Sequence, residues 1–128
     1  MKFSFLPRKR PEVFRGLVDT GADETFLHHR SIAILGIDTS RLEVRNDVGG
    51  VGGLGVPYFR WETKLKILSP EGSGRLFSGE VNIFLDPHAS RVPILGRDVL
   101  DNFAVIFDRR KTRIALIEEP DSYQIIRG

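Results

Sequence analysis

Leu17-Val18-Asp19-Thr20-Gly21-Ala22-Asp23 carries an apolar segment straight into a tight turn. Val13 to Val18 reads as a strand, with Phe14 and Leu17 as its apolar candidates, and it must stop where Asp19-Thr20-Gly21 begins. Thr20 supplies a hydroxyl that can bond locally or reach across to another loop. Gly21 lets the backbone approach closely and offers an amide N–H with no side chain in the way. Ala22 is small for the same reason. Asp-Thr-Gly is also good turn chemistry by itself, so the plain reading of Asp19 on the triplet alone is a turn-capping aspartate.

Outward from this loop the pattern is mostly strand punctuated by glycine. Lys2 to Leu6 alternates like a first strand, and Pro7 and Pro11 bracket a basic turn. Downstream, His29 to Leu35 suits about two helical turns, with Gly36 as the stop. Leu42 to Val48 reads as a strand, followed by Gly49-Gly50-Val51-Gly52-Gly53 and a β-rich stretch from Val56 to Leu68. There Phe59, Trp61, Leu65 and Ile67 share the period-2 spacing of one packed face. These pieces predict a long hairpin with glycines at its tip. Each glycine costs up to about 1 kcal/mol of ordering relative to alanine, which favours a tip that moves or lies against a ligand's backbone. Pro70 to Gly79 reads as a turn region and Val81 to Leu85 as a short strand. Val92 to Leu95 is an apolar strand ending in Gly96-Arg97-Asp98, where Asp98 suits the cap of a short helix. Ala104 to Phe107 and Thr112 to Ile117 form a closing hairpin around Asp108-Arg109-Arg110-Lys111. Many short strands and one or two short helices predict an all-β chain built as a small barrel or sandwich.

Three pieces in this order resemble the retroviral-type aspartic peptidases, the retropepsins, and their single-domain cellular and prokaryotic relatives. They are Asp19-Thr20-Gly21-Ala22 after an apolar strand, the tip Gly49-Gly50-Val51-Gly52-Gly53, and Val92-Pro93-Ile94-Leu95-Gly96-Arg97-Asp98-Val99-Leu100. The resemblance spans most of Val13 to Ile117. It implies a small closed β barrel that works as a homodimer, with one Asp-Thr-Gly loop from each subunit. It implies Asp19 as the catalytic residue of an endopeptidase and water as its nucleophile, without cofactor or metal. Thr20 then braces the paired loops, Gly21 and Ala22 set the backbone path, and Asp23 orients the substrate backbone and pairs with Arg97 beside Gly96. That pair, if buried, holds the loop against the helix. Gly49 to Gly53 corresponds to the flap over an extended peptide or protein substrate, with Val51, Leu54, Leu27 and Ile94 as pocket walls.

The connection from Asp19 to the glycine-rich tip is longer than in compact viral members, and an extra hairpin, Ala104 to Ile117, follows the late helix. The dimer sheet is therefore open between this hairpin, the tail, or both. Residues 1–118 are read as the peptidase domain and 119–128 as a tail available to the interface. The alternative reading is a non-catalytic domain of the same fold that dimerises or binds peptide.

Composition narrows the field. The 128 residues suit one domain, and a chain of this size buries enough surface to need no disulfide. Cysteine is absent, which excludes disulfides and thiolate chemistry. With 19 basic and 17 acidic side chains the net charge is +2, which gives no strong pull toward nucleic acid. The clusters Arg8-Lys9-Arg10 and Arg109-Arg110-Lys111 lack interleaved aromatics and read as solvated turns. No apolar run is long enough to span a membrane, and the start does not have the order of a signal peptide, so a cytoplasmic setting is expected. Only His28, His29 and His88 offer imidazole, too few and too poorly spaced for a zinc site. No serine sits in a Gly-x-Ser-x-Gly elbow.

Overall fold

The computed structural model describes residues 1–6, 13–46, 55–68 and 74–117. Among the described residues, ten strands and two short helices run in the order β1 (Lys2–Leu6), β2 (Phe14–Arg15), β3 (Leu17–Val18), β4 (Phe26–Leu27), α1 (Ser31–Leu35), β5 (Glu43–Arg45), β6 (Tyr58–Leu68), β7 (Gly74–Phe84), β8 (Ile94–Leu95), α2 (Arg97–Leu100), β9 (Ala104–Asp108) and β10 (Arg113–Ile117). A 3-10 turn, Thr39–Arg41, precedes β5.

The centre is the antiparallel pair β6–β7, in register from Tyr58↔Phe84 to Leu68↔Gly74. Strand β1 adds on one side through Lys2↔Leu68 to Leu6↔Lys64. On the other side β4 runs parallel to β7, β8 pairs with β4, and β3 runs parallel to β8. The sheet is thus mixed, in the order β2-β1-β6-β7-β4-β8-β3, with β5 paired to β6 off this path.

The expected closed barrel is not found: among the described residues this sheet is open. Its two ends, β2 and β3, are consecutive pieces of one chain separated only by Gly16. Neighbouring segments of a single extended backbone cannot form a ladder with each other. The chain crosses from the β1 side to the β8 side at that glycine, and the hydrogen-bonded path stops at each end. The expected strand from Val13 to Val18 is accordingly two strands serving opposite ends of the sheet.

The core forms where alternate apolar residues of several strands meet. Phe14, Leu27, Leu65, Ile67, Val81, Ile83 and Leu95 pack with Leu35 of α1 and Val99 of α2. Phe59 and Trp61 lie half-buried against this cluster, as the period-2 spacing predicts. Strand β7 begins at Gly74, earlier than expected. Its first half is exposed except for Phe77, which packs against the core, and each residue there pairs with β6, so the ladder extends through sequence that reads as a turn. Helix α1 ends as expected: Gly36 takes φ +64, the left-handed region that glycine enters without penalty.

Candidate active site

Asp19 follows β3, and its position is set by β8. The Leu17 amide donates to the Pro93 carbonyl at 2.9 Å, and the Asp19 amide donates to the Leu95 carbonyl at 3.0 Å. Leu95 is fully buried, so the strand that carries Asp19 is anchored to the core. The chain then turns, with the Ala22 amide donating to the Asp19 carbonyl at 3.2 Å. The Gly21 amide donates to Asp19 Oδ1 at 2.9 Å, which orients the carboxylate. Asp19, Thr20 and Gly21 are all exposed. The arrangement therefore fixes the backbone and leaves the carboxylate facing outward.

Helix α2 holds the far side of the loop. The Arg97 amide donates to the Ala22 carbonyl at 2.8 Å and the Asp98 amide to the Asp23 carbonyl at 3.1 Å. Gly96 makes this approach possible. A Cβ there would lie 2.4 Å from the Glu24 carbonyl oxygen and 2.9 Å from that of Ala22, closer than real contacts allow. Asp23 and Arg97 form the expected ion pair, but their side chains are 78% and 50% exposed, so it is not the buried clamp envisaged from sequence. Water screening leaves such a pair about 0–1 kcal/mol.

The stronger brace is buried Thr25 with Asp98 at the surface, which the sequence does not reveal. Thr25 is fully buried. Its hydroxyl donates to Asp98 Oδ1 at 2.7 Å and accepts from the Gly96 amide at 3.1 Å. Its own amide donates to Asp98 Oδ2 at 2.9 Å. Asp98 also accepts from the Val99 amide at 2.8 Å. The N-cap of α2 is Gly96, so Asp98 lies in the first turn and is a cross-link rather than the cap that was expected. Its negative charge still suits the N-terminal end of a helix.

Beside Thr25, Glu24 accepts from Arg60 at 3.1 Å and from the Asn82 side-chain amide at 3.0 Å, and Arg60 also binds Glu80 at 2.8 Å. Burial pulls the Arg60 guanidinium pKa down, but hydrogen bonds to Glu80 and Glu24 outweigh it and hold it above its ordinary value. Buried His28 accepts from or donates to Ser31 at 2.8 Å. Desolvation first, and the nearby Arg30 charge second, lower its pKa.

Of the pocket walls expected from sequence, Leu27 is fully buried in the core and Ile94 is half-buried on β8. Val51, Leu54 and the tip Gly49, Gly50, Val51, Gly52 and Gly53 lie outside the described residues. Strands β5 and β6, on either side of that stretch in the sequence, pair antiparallel from Glu43↔Arg60 to Arg45↔Tyr58. Among the described residues no group of three or more His, Cys, Asp or Glu side chains is placed to hold a metal ion.

Residues 8–107 match the family model for retroviral aspartyl protease. The chain belongs to that family. It is an aspartic-type endopeptidase domain of retropepsin type, and membership brings the family's need for a dimer and a peptide substrate. Solved relatives include a retropepsin-like aspartic protease from Rickettsia conorii, with TM-score 0.60, 21% identity, and coverage of 81% of this chain and 73% of the other. The EIAV protease in complex with an inhibitor aligns with TM-score 0.57 and 28% identity over 79% of this chain and 83% of that one. The retroviral protease-like domain of Ddi1 from Leishmania major aligns with TM-score 0.53 and 19% identity over 95% of this chain and 98% of that one. Among curated proteins no significant match is found. No helix among the peptidase's described residues is long and apolar enough to cross a membrane.

Proposed function

We propose that Asp19 is the catalytic carboxylate and that two copies of this chain make the working enzyme, a homodimeric endopeptidase acting on extended peptide segments without bound cofactor. The observation that carries this reading is an exposed carboxylate on a backbone pinned to the core, with the Asp19 amide 3.0 Å from the Leu95 carbonyl. One such group per chain supplies half of a dyad. Two carboxylates about 3 Å apart cannot both ionise cheaply, so they share one proton. That behaviour is general to aspartic dyads and is carried over to this pair, whose two titration steps belong to both residues together.

In the proposed reaction the ionised carboxylate takes a proton from a water held between the two. The protonated one bonds to the scissile carbonyl and polarises it. Water attacks the carbonyl carbon to give a tetrahedral diol. Proton transfer to the amide nitrogen then breaks the C–N bond and releases the amine. Thr20 braces one loop on the other, Gly21 and Ala22 keep the backbone close to the dyad, and Asp23 meets the substrate backbone. Gly96 and Arg97 support the loop from behind. The tip Gly49 to Gly53 is assigned as the flap, whose amides bind the substrate backbone while alternate side chains enter pockets. A peptidase domain over residues 1–118 is part of the same proposal. So are a tail over 119–128, a cytoplasmic setting and the absence of a nucleic-acid partner.

Hydrolysis of a diverse peptide library across acidic to neutral pH, by wild type and Asp19→Asn, tests the assignment, with sedimentation on the same samples. Cleavage by a dimeric wild type that vanishes in a folded, dimeric Asp19→Asn variant is the expected result. Cleavage that persists in the variant overturns the role of Asp19.

A further inference from the structure

We propose that the cavity between the β6–β7 pair and α2 is a second binding site, for a small primary amine on an apolar body. None of residues 19–23 lines it, so the site is separate from the active-site loop and stands independently of the paired-aspartate reading.

The cavity measures 370 Å³, a volume that holds a small ligand. Its residues come from two directions. Thr63 and Gly79 are cross-strand partners on β6 and β7, and Leu65 and Phe77 are the next pair on the same face. Val99 and Asp98 of α2, with Asn102 just beyond it, line the cavity from the helix side. Leu65, Val81 and Val99 are buried core residues, so the walls are fixed before anything enters.

Gly79 is the first sign that the space has a use. A glycine inside a strand marks a bulge, a bend or a close approach by a ligand or another backbone, and it weakens the strand otherwise. The ladder runs without a break through Thr63↔Gly79, so there is no bulge. Among the described glycines only Gly36 has a positive φ, so the backbone at position 79 does not require glycine. A Cβ built there meets nothing within 4 Å, so no other backbone presses against it. What the missing side chain leaves is room. Farther along the same face the row is closed: Phe77 packs edge-on to Phe103 at 5.7 Å, and the Arg75 guanidinium lies over both rings.

Charge then selects the occupant. The ionisable residues lining the cavity are Glu80 and Asp98, and no Lys, Arg or His is among them. Glu80 already binds Arg60 at 2.8 Å. Asp98 is tied through three donors: its Oδ1 accepts from the Thr25 hydroxyl and the Val99 amide, and its Oδ2 from the Thr25 amide alone. A carboxylate has about four acceptor positions, so one on Oδ2 remains. A primary ammonium brings donors and no acceptor, and its positive charge matches. An anion would face Asp98 as a like charge. An aromatic or branched aliphatic body suits the apolar walls. The occupant therefore joins β6–β7 to the residue that braces α2 against Thr25.

Phenethylamine is the probe and 2-phenylethanol its neutral counterpart, each titrated into the full chain and followed by nitrogen–proton correlation spectra. The amine should shift the Gly79, Val99 and Asn102 amides saturably. It should bind at least about threefold tighter than the alcohol, the difference expected of a partly screened ion pair. Gly79→Leu fills the space from a position where its Cβ is free, and should abolish these shifts, while the smaller Gly79→Ala keeps them. Thr63→Leu fills the same floor from the partner strand and should act like Gly79→Leu. Saturating amine should raise the melting point of wild type and not that of a filled variant. The proposal is overturned by the absence of saturable shifts at these amides, by a preference for the amine below threefold, or by a folded filled variant that binds or is stabilised as wild type is.

Discussion

Replacing Thr25 by valine removes one buried oxygen and keeps the branched shape of the side chain. The hydroxyl has two partners, Asp98 Oδ1 at 2.7 Å and the Gly96 amide at 3.1 Å. A hydrogen bond to a charged group contributes about 1.5–3 kcal/mol, the low end applying here because Asp98 is exposed, and a buried amide left without an acceptor costs about 1–3 kcal/mol. The added methyl returns about 0.8 kcal/mol of apolar burial. Asp98 is not stranded, because the Thr25 and Val99 amides still reach it at 2.9 and 2.8 Å. The net loss is therefore about 2–4 kcal/mol. For a domain of this length each kcal/mol moves the melting point by about 4 °C, so Thr25→Val should melt about 8–16 °C lower. Melting followed by circular dichroism at one fixed protein concentration measures this, since dimerisation makes the midpoint concentration-dependent. Thr25→Ser keeps the hydroxyl and should recover most of the loss. A valine variant melting within about 2 °C of wild type would refute the brace and the ranking of this partly buried bond above the exposed ion pair.

Four further outcomes are expected. Gly96→Ala should destabilise by about 2 kcal/mol or more, because its Cβ meets the backbone of Glu24 and Ala22 rather than a side chain that can move; urea denaturation measures it. Arg97→Ala should cost under about 1 kcal/mol in the same assay, since its ion pair with Asp23 is exposed. Arg60→Met leaves Glu24 and Glu80 without their shared cation, so its stability deficit relative to wild type should shrink on adding salt, read from paired urea titrations at low and high ionic strength. His28 has a folded pKa below its unfolded value of 6.5, so the folded state resists its protonation. Its stabilising contribution is complete above pH 6.5 and is lost as pH falls through the lower folded value. Melting points of wild type should fall across that window more steeply than those of His28→Gln; parallel profiles would remove His28 from the account.

What the sequence shows well is local. Two apolar residues ahead of Asp-Thr-Gly predict a strand that ends at Asp19, and β3 ends at Val18. Gly36 reads as a helix stop, and it adopts the left-handed conformation that a stop requires. The hairpin around Asp108 to Lys111 follows from alternation and turn chemistry, and β9 and β10 form it. What the sequence hides is whatever depends on a distant partner. Gly74 to Ser78 has turn composition, yet each residue is held in a strand because β6 lies alongside. Asp98 looks like a cap because Thr25, its main partner, is 73 residues away. Gly96 offers no clue that its missing side chain makes room for the carbonyls of Ala22 and Glu24. The open sheet is of the same kind: strand propensities locate β2 and β3, but not that they serve opposite ends of one ladder.

These long-range ties share a direction. Leu95 holds the Asp19 backbone, α2 holds Ala22 and Asp23, and the Thr25–Asp98 pair locks α2 to the chain just beyond the loop. All approach from the core side. The Asp19 carboxylate takes part in none of them and accepts locally from the Gly21 amide. A catalytic group needs a backbone that does not yield and a side chain whose remaining lone pairs are free for the reaction, so that orientation is fixed before substrate arrives. This division places the ordering cost of the loop in folding and leaves dimerisation to bring two prepared halves together. It also separates two kinds of damage. A substitution at Thr25 or Gly96 should lower stability and activity together, at every concentration. One at Asp19 should leave each subunit folded and remove activity alone.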